Sequence, residues 1–204
     1  MGSFLAGAAL FGASLVLVRR SGIGPVEEEI FRAANDAPDT LTIPVRSVMQ
    51  MGTFGSVPAV SAVALLAGKP RLAAALGVGG TAAWVLAKQA KVLGGRPRPE
   101  GVLMDVRTRE KIDGDLGWLS GHTAVATTIA ITAWSATPRW SHPLLVAGTM
   151  TTAFGRMFVG AHLPLDLVGG AGLGMMVSAL ARRLLDDEMP RTLAKSDRHR
   201  SDSR

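Results

Sequence analysis

Six apolar stretches, each closed by charged or turn-forming residues, dominate this 204-residue chain. They run roughly over 3–18, 43–66, 72–92, 123–136, 144–159 and 167–185. A helix crosses a bilayer with about 20 mostly apolar residues, in a range of roughly 17–25, and several of these stretches approach that length. Charged residues make up 19% of the chain and hydrophobic ones 48%, whereas a soluble domain usually carries about 25% charged residues. Lipid-facing surface needs no charge, and a soluble bundle would need polar outer faces on its helices. The pattern therefore predicts an all-α polytopic membrane protein with about six transmembrane helices in an antiparallel bundle. Small residues inside the last stretch, Gly169, Gly170, Gly172 and Gly174, suit the close helix packing found in membranes.

The polar segments between these stretches are informative. Arg19 and Arg20 follow the first apolar run instead of preceding it, which argues against a secretory signal. Residues 22–39 hold Glu27, Glu28, Glu29, Arg32 and Asp36, with Val26, Ile30 and Phe31 at helical spacing. A short amphipathic helix near 26–36, lying on the membrane surface, is the expectation. Residues 93–118 read as a polar loop rich in Gly, Pro and charge. One domain is expected over 1–188, with its core at 40–185, followed by a basic, disordered tail at 189–204.

The formal net charge is +6 and there is no cysteine, so disulfides and thiolate chemistry are excluded. The basic residues sit at helix ends and in the tail, without an aromatic stacking platform, so nucleic acid is not an expected partner. Anionic membrane lipids are. Lys and Arg divide almost evenly between the two predicted membrane faces, so charge alone does not orient the bundle.

Ionisable residues at helix ends in a membrane protein are functional candidates by default. Helix parity puts three such clusters on one face, together with the surface helix. They are Lys91 to Arg98-Pro99, then Leu119-Ser120-Gly121-His122, then Gly155-Arg156 with His162 and Asp166. Lys91, Arg98 and Arg156 suit a phosphate-like dianion, the arginines as bidentate donors and the lysine as a point charge. Ser120 is a good N-cap for the helix that follows, and the N–H groups there attract anions. Gly121 allows close approach of the backbone. Asp166, four residues after His162, would fix its tautomer and sharpen its other nitrogen as a nucleophile. His122 would be free to act as acid and then base. The carboxylate cluster of a divalent-metal phosphatase is missing, so neither metal nor cofactor is called for.

Lys-x6-Arg-Pro, Ser-Gly-His and Arg-x5-His-x3-Asp, in this order, resemble the three-part motif of the type 2 phosphatidic acid phosphatase superfamily, the lipid phosphate phosphatases. Lys88 and Arg96 fit the first spacing less well. The resemblance implies that Lys91, Arg98, Ser120, Gly121 and Arg156 hold phosphate, that His162 attacks phosphorus, that Asp166 orients it and that His122 is the acid and then the base. The implied activity is metal-independent hydrolysis of a lipid phosphate or diphosphate. Polyprenyl (pyro)phosphate, phosphatidic acid and phosphatidylglycerol phosphate are the implied substrates. The implied place is a bacterial plasma membrane, with the site facing outward from the cytoplasm. The alternatives are a lipid phosphotransferase on the same site, a vanadate-dependent haloperoxidase and a non-catalytic membrane protein. Leu119 and Gly155 stand where the family usually has Pro and Ser. The first is expected to alter loop stiffness, the second to remove a hydroxyl donor to phosphate. Arg107, Arg109, Lys111, Asp113 and Asp115 are expected to shape headgroup choice.

Overall fold

A computed structural model describes residues 2–112 and 114–186. The chain forms eight α-helices among the described residues: α1 (Gly2–Arg20), α2 (Pro25–Asn35), α3 (Thr42–Met49), α4 (Ser56–Leu66), α5 (Pro70–Gly94), α6 (Gly121–Trp134), α7 (His142–Phe158) and α8 (Pro164–Asp186). The charged tail from 189 onward lies outside the described residues.

Among the described residues, three helices are long and apolar enough to cross a membrane: α1, α5 and Pro164–Arg183 of α8. The expected second span is not one straight helix. Asp39–Gly52 and Ser56–Leu66 pass the same test only together, across a bend of 70°. The break has a local cause. The hydroxyl of Ser56 donates to the Met51 and Thr53 carbonyls, both at 2.8 Å, and that of Thr53 to Gln50 O at 2.8 Å, so side chains replace helix hydrogen bonds there. The α6 and α7 helices have 14 and 17 residues. At 1.5 Å per residue α6 is about 21 Å long, short of a hydrocarbon core of about 30 Å.

α6 is the central helix, buried on almost every side from Thr123 to Ile129 and again at Thr132 and Ala133. α5 and α8 flank it, and α1 lies along α8. The α1–α8 crossing is close because Gly7 and Gly172 face each other: a Cβ on either would lie 2.7 Å from the carbonyl oxygen of the other. The outer faces of the bundle are apolar. Leu5, Val63, Leu66, Val78, Leu144 and Met150 are all more than half exposed, which suits hydrocarbon and not water.

α2 is the expected surface helix, but its three apolar residues do not share a face. Phe31 is fully buried, while Val26 and Ile30 point outward. The inward face also carries Glu27 and Asn35, because the loops beneath it present a buried arginine and a row of backbone groups that need polar partners. Asn35 Nδ2 donates to Arg107 O, Met157 O and Phe158 O at 3.0–3.2 Å, and its Oδ1 accepts from Arg107 N at 2.9 Å.

Candidate active site

Backbone hydrogen bonds tie the three sequence clusters together. Residues 96–98 run antiparallel to 115–117: Gly117 N donates to Arg96 O at 2.7 Å and Arg98 N to Asp115 O at 3.0 Å. Ser120 N donates to Asp166 O at 2.9 Å, and His162 N to Arg156 O at 3.2 Å. Ser120 caps α6 through a hydrogen bond from Thr123 N at 3.4 Å. Pro164 opens α8, which leaves His162 just before the helix and Asp166 in its first turn.

Lys91, Arg98, Gly121, His122, Arg156 and His162 line one cavity of about 280 Å³. Ser120 and Asp166 lie behind that wall, both fully buried. Asp166 Oδ2 faces His162 Nδ1 at 3.4 Å and accepts from Leu163 N at 2.9 Å. The other imidazole nitrogen is thereby left for chemistry. Burial, reinforced by Lys91, Arg156 and Arg98, holds the His162 imidazole well below its usual pKa, so in the empty site it is neutral at pH 7.

That depression has a measurable consequence. Below pH of about 6.5 the unfolded chain binds a proton at His162 that the folded chain refuses, so stability falls with pH by about 1.4 kcal/mol per unit for this one group. Thermal melting of the detergent-solubilised protein between pH 7 and pH 5 is expected to fall more steeply for the wild type than for His162→Gln. Parallel pH dependences would contradict a neutral buried imidazole.

The cations are held differently. Lys91 Nζ donates to the carbonyls of Leu116, Gly117 and Leu119 at 3.0–3.2 Å, which uses all three of its donors. It therefore ties that loop down and sets a positive charge at the cavity wall. Arg98 is braced by Gly114 O at 2.5 Å and Ala161 O at 3.0 Å. Arg156 is buried, and its Nε has no hydrogen-bond partner among the described residues. Its Nη1 pairs with Glu110.

Several residues read differently in the fold than in the sequence. Glu110 was not a candidate, yet it lines the cavity and its carboxylate sits on a guanidinium of the anion site. Lys88 also lines the cavity, with its ammonium 3.8 Å from the centre of the Trp84 ring. Arg96 is buried and bridges two carboxylates: Glu27, at 2.8 and 2.5 Å, and Asp166 Oδ1 at 3.3 Å. The two residues set aside on spacing thus both belong to the site region. Of the loop set expected to shape headgroup choice, Lys111 lines the cavity. Arg109 instead braces α2 and its following turn, donating to Asn35 O at 2.7 Å and Ala37 O at 3.0 Å. Arg107 is exposed, 3.8 Å from Asp36, and Asp113 lies outside the described residues.

The two departures from the motif are also placed. Leu119 fills the core with its side chain while its carbonyl accepts from Lys91. Gly155 does not line the cavity. A Cβ there would stand 3.0 Å from Val45 Cγ1 and 3.1 Å from Met49 Sδ, so glycine lets α7 lie close on α3.

The fold and the sequence resemble those of known proteins. The fold superposes on the crystal structure of the transmembrane PAP2 type phosphatidylglycerolphosphate phosphatase from Bacillus subtilis with a TM-score of 0.74 at 18% identity, over 94% of this chain and 99% of that one. It superposes on Aquifex aeolicus LpxE with a TM-score of 0.70 at 22% identity, over 78% and 96%. In sequence it is 29% identical over 97 residues to an undecaprenyl-diphosphatase of Sulfolobus acidocaldarius, a match that spans 48% of this chain and 47% of that protein. Residues 71–190, which contain all three motif clusters, match the PAP2 superfamily, and the chain belongs to it.

Proposed function

We propose that this protein is an integral membrane phosphatase that hydrolyses a lipid phosphate or diphosphate through a phosphohistidine, without a metal. The observation that carries this reading is the imidazole of His162, backed by a buried carboxylate and lining one cavity with Lys91, Arg98 and Arg156. In the first step His162 attacks phosphorus as the P–O bond to the lipid breaks, and the leaving oxygen takes a proton from His122. In the second, water attacks the phosphohistidine, His122 takes its proton, and the P–N bond breaks to release inorganic phosphate. The three cations and the N-terminus of α6 stabilise charge on the equatorial oxygens, already in position before the reaction starts. The incoming dianion supplies the negative charge that lets His122 carry its proton.

A lipid substrate is supported by what adjoins the cavity. An apolar groove of about 950 Å³ runs between α4 and α5, lined by Val57, Pro58, Val78, Val85 and Leu86 among others. Phe54 belongs to both the groove and the cavity, and its ring lies 4.7 Å from that of Trp84. A phosphate in the cavity would place its hydrocarbon chain in this groove, level with the bilayer. Polyprenyl diphosphate and phosphatidylglycerol phosphate are the first candidates, given what the similar proteins act on; phosphatidic acid is the third. We place six membrane crossings in a bacterial plasma membrane, with the cavity on the outer face.

The test is phosphate release by detergent-purified protein in EDTA from these three lipids and from p-nitrophenyl phosphate. Release that needs an added divalent metal, or no release from any lipid, would contradict the reading. The variant Val78→Trp fills an open part of the groove. It is expected to raise KM for the long-chain substrate about tenfold, or about 1.4 kcal/mol, and to leave p-nitrophenyl phosphate hydrolysis unchanged. Equal effects on both substrates would remove the groove from substrate binding.

A further inference from the structure

Arg96 is a buried cation outside the cavity wall. Both of its terminal nitrogens reach Glu27, Nη1 to Oε1 at 2.8 Å and Nη2 to Oε2 at 2.5 Å, and Nη1 also reaches Asp166 Oδ1 at 3.3 Å. The side chains of Arg96, Glu27 and Asp166 are 7%, 9% and 0% exposed. Glu27 Oε1 in addition accepts from Leu165 N at 3.0 Å, in the first turn of α8. A buried charge is tolerated only when it is paired and hydrogen-bonded, and here each member satisfies another.

The two oxygens of Asp166 are divided between different tasks. Oδ2 serves His162 Nδ1 and Leu163 N, and Oδ1 faces Arg96. An arginine on Oδ1 fixes the rotation of the carboxylate and, as an opposite charge, favours its ionised form, which is the state that can hold the imidazole tautomer. Glu27 fixes the arginine in turn, and it sits on α2, whose outer face leaves Val26 and Ile30 exposed. We infer that Arg96 is a positioning residue for the His162–Asp166 pair, and that Glu27 holds it in place, so that the nucleophile is anchored through α2. Arg96 does not line the cavity; it acts through Asp166 and not on phosphate. This assignment rests on the hydrolase reading above.

The test uses the full chain in detergent, with kcat and KM for a lipid phosphate and the inhibition constant of orthovanadate as readouts. Arg96→Gln is expected to lower kcat about 10- to 100-fold, the usual range for a partner that orients a reacting group. KM and the orthovanadate constant should stay within about twofold, because the anion site is untouched. In an Asp166→Asn background, adding Arg96→Gln should cost less than about twofold more, since the two act as one unit. Should Arg96→Gln fail to fold, Arg96→Lys and Glu27→Gln carry the same test, each lowering kcat without weakening orthovanadate. Losses that multiply in the double variant, orthovanadate binding that falls in step with kcat, or a full kcat in the variants would overturn the assignment. A wild type that releases no phosphate would instead contradict the hydrolase reading itself.

Discussion

Replacing His162 with alanine is expected to lower kcat for phosphate release by roughly 10⁴- to 10⁶-fold, the scale seen when an activated nucleophile is deleted. The imidazole is 3% exposed, faces Asp166 and is also hydrogen-bonded to the Gly117 backbone. Its removal therefore leaves Lys91, Arg98 and Arg156 around the cavity. Orthovanadate binding should largely survive, and the loss should appear in kcat. Glutamine at 162 should be as inactive as alanine, because an amide can keep the contact to Asp166 but cannot form the phosphoramidate. A variant that retained more than about one-hundredth of the wild-type kcat would mean that another group attacks phosphorus, since general acid–base assistance alone contributes about 10²–10⁴.

The second large effect is expected at a residue without a side chain. Gly170 lies where α8 crosses the start of α6, and a Cβ there would stand 2.4 Å from Ser120 O, 3.2 Å from Thr123 Cβ and 3.3 Å from Ala124 N. Two of those three neighbours are backbone atoms, which cannot swing aside. Gly170→Ala must push α8 away from α6, at about 1–3 kcal/mol for an overpacked contact. The same displacement moves His162 and Asp166, at the head of α8, relative to Ser120-Gly121-His122, at the head of α6. A misplacement of about 1 Å can cost 10²-fold in rate. The expected result is a lower melting temperature together with about a hundredfold loss of phosphate release. Gly12→Ala, in α1 with nothing within 4 Å of its Cβ, should change neither. A Gly170→Ala protein that melts and turns over like the wild type would show that the two helix heads are not held by this crossing.

Most of the helices, α2 among them, and the convergence of three clusters on one cavity were legible in the sequence because each is a local signal. Apolar length predicts a membrane helix, Ser120 before α6 predicts a cap, and Pro164 before Asp166 predicts a helix start. Helix parity brings the clusters to one face. Pairings between distant residues were not legible. Arg96 meets Glu27 across 69 positions, and Arg156 meets Glu110 across 46, and no periodicity links either pair. Spacing alone set Arg96 and Lys88 aside, yet spacing reports only which residues share a motif. It says nothing about which ones a fold turns inward. The bend at 53–55 was hidden for a related reason: residues 43–66 are apolar throughout, and the break depends on hydroxyls of Thr53 and Ser56 capturing helix carbonyls.

Lys91 lines the cavity, as its place in the motif predicts, but its three donors serve loop carbonyls. Under the proposed function its contribution to a bound anion would therefore be electrostatic, while the arginines and the α6 N-terminus would supply directed hydrogen bonds. Glu110 adds a constraint from the other side: a phosphate that enters the cavity must share Arg156 with a carboxylate already there.

The most direct measurement of the central claim is a rapid alkaline quench of the purified protein during turnover of a ³²P-labelled lipid phosphate, followed by location of the label by mass spectrometry. Label on His162, formed and lost at the rate of turnover and absent in His162→Ala, is the predicted result. Turnover without a labelled protein, or label on any other residue, would contradict it.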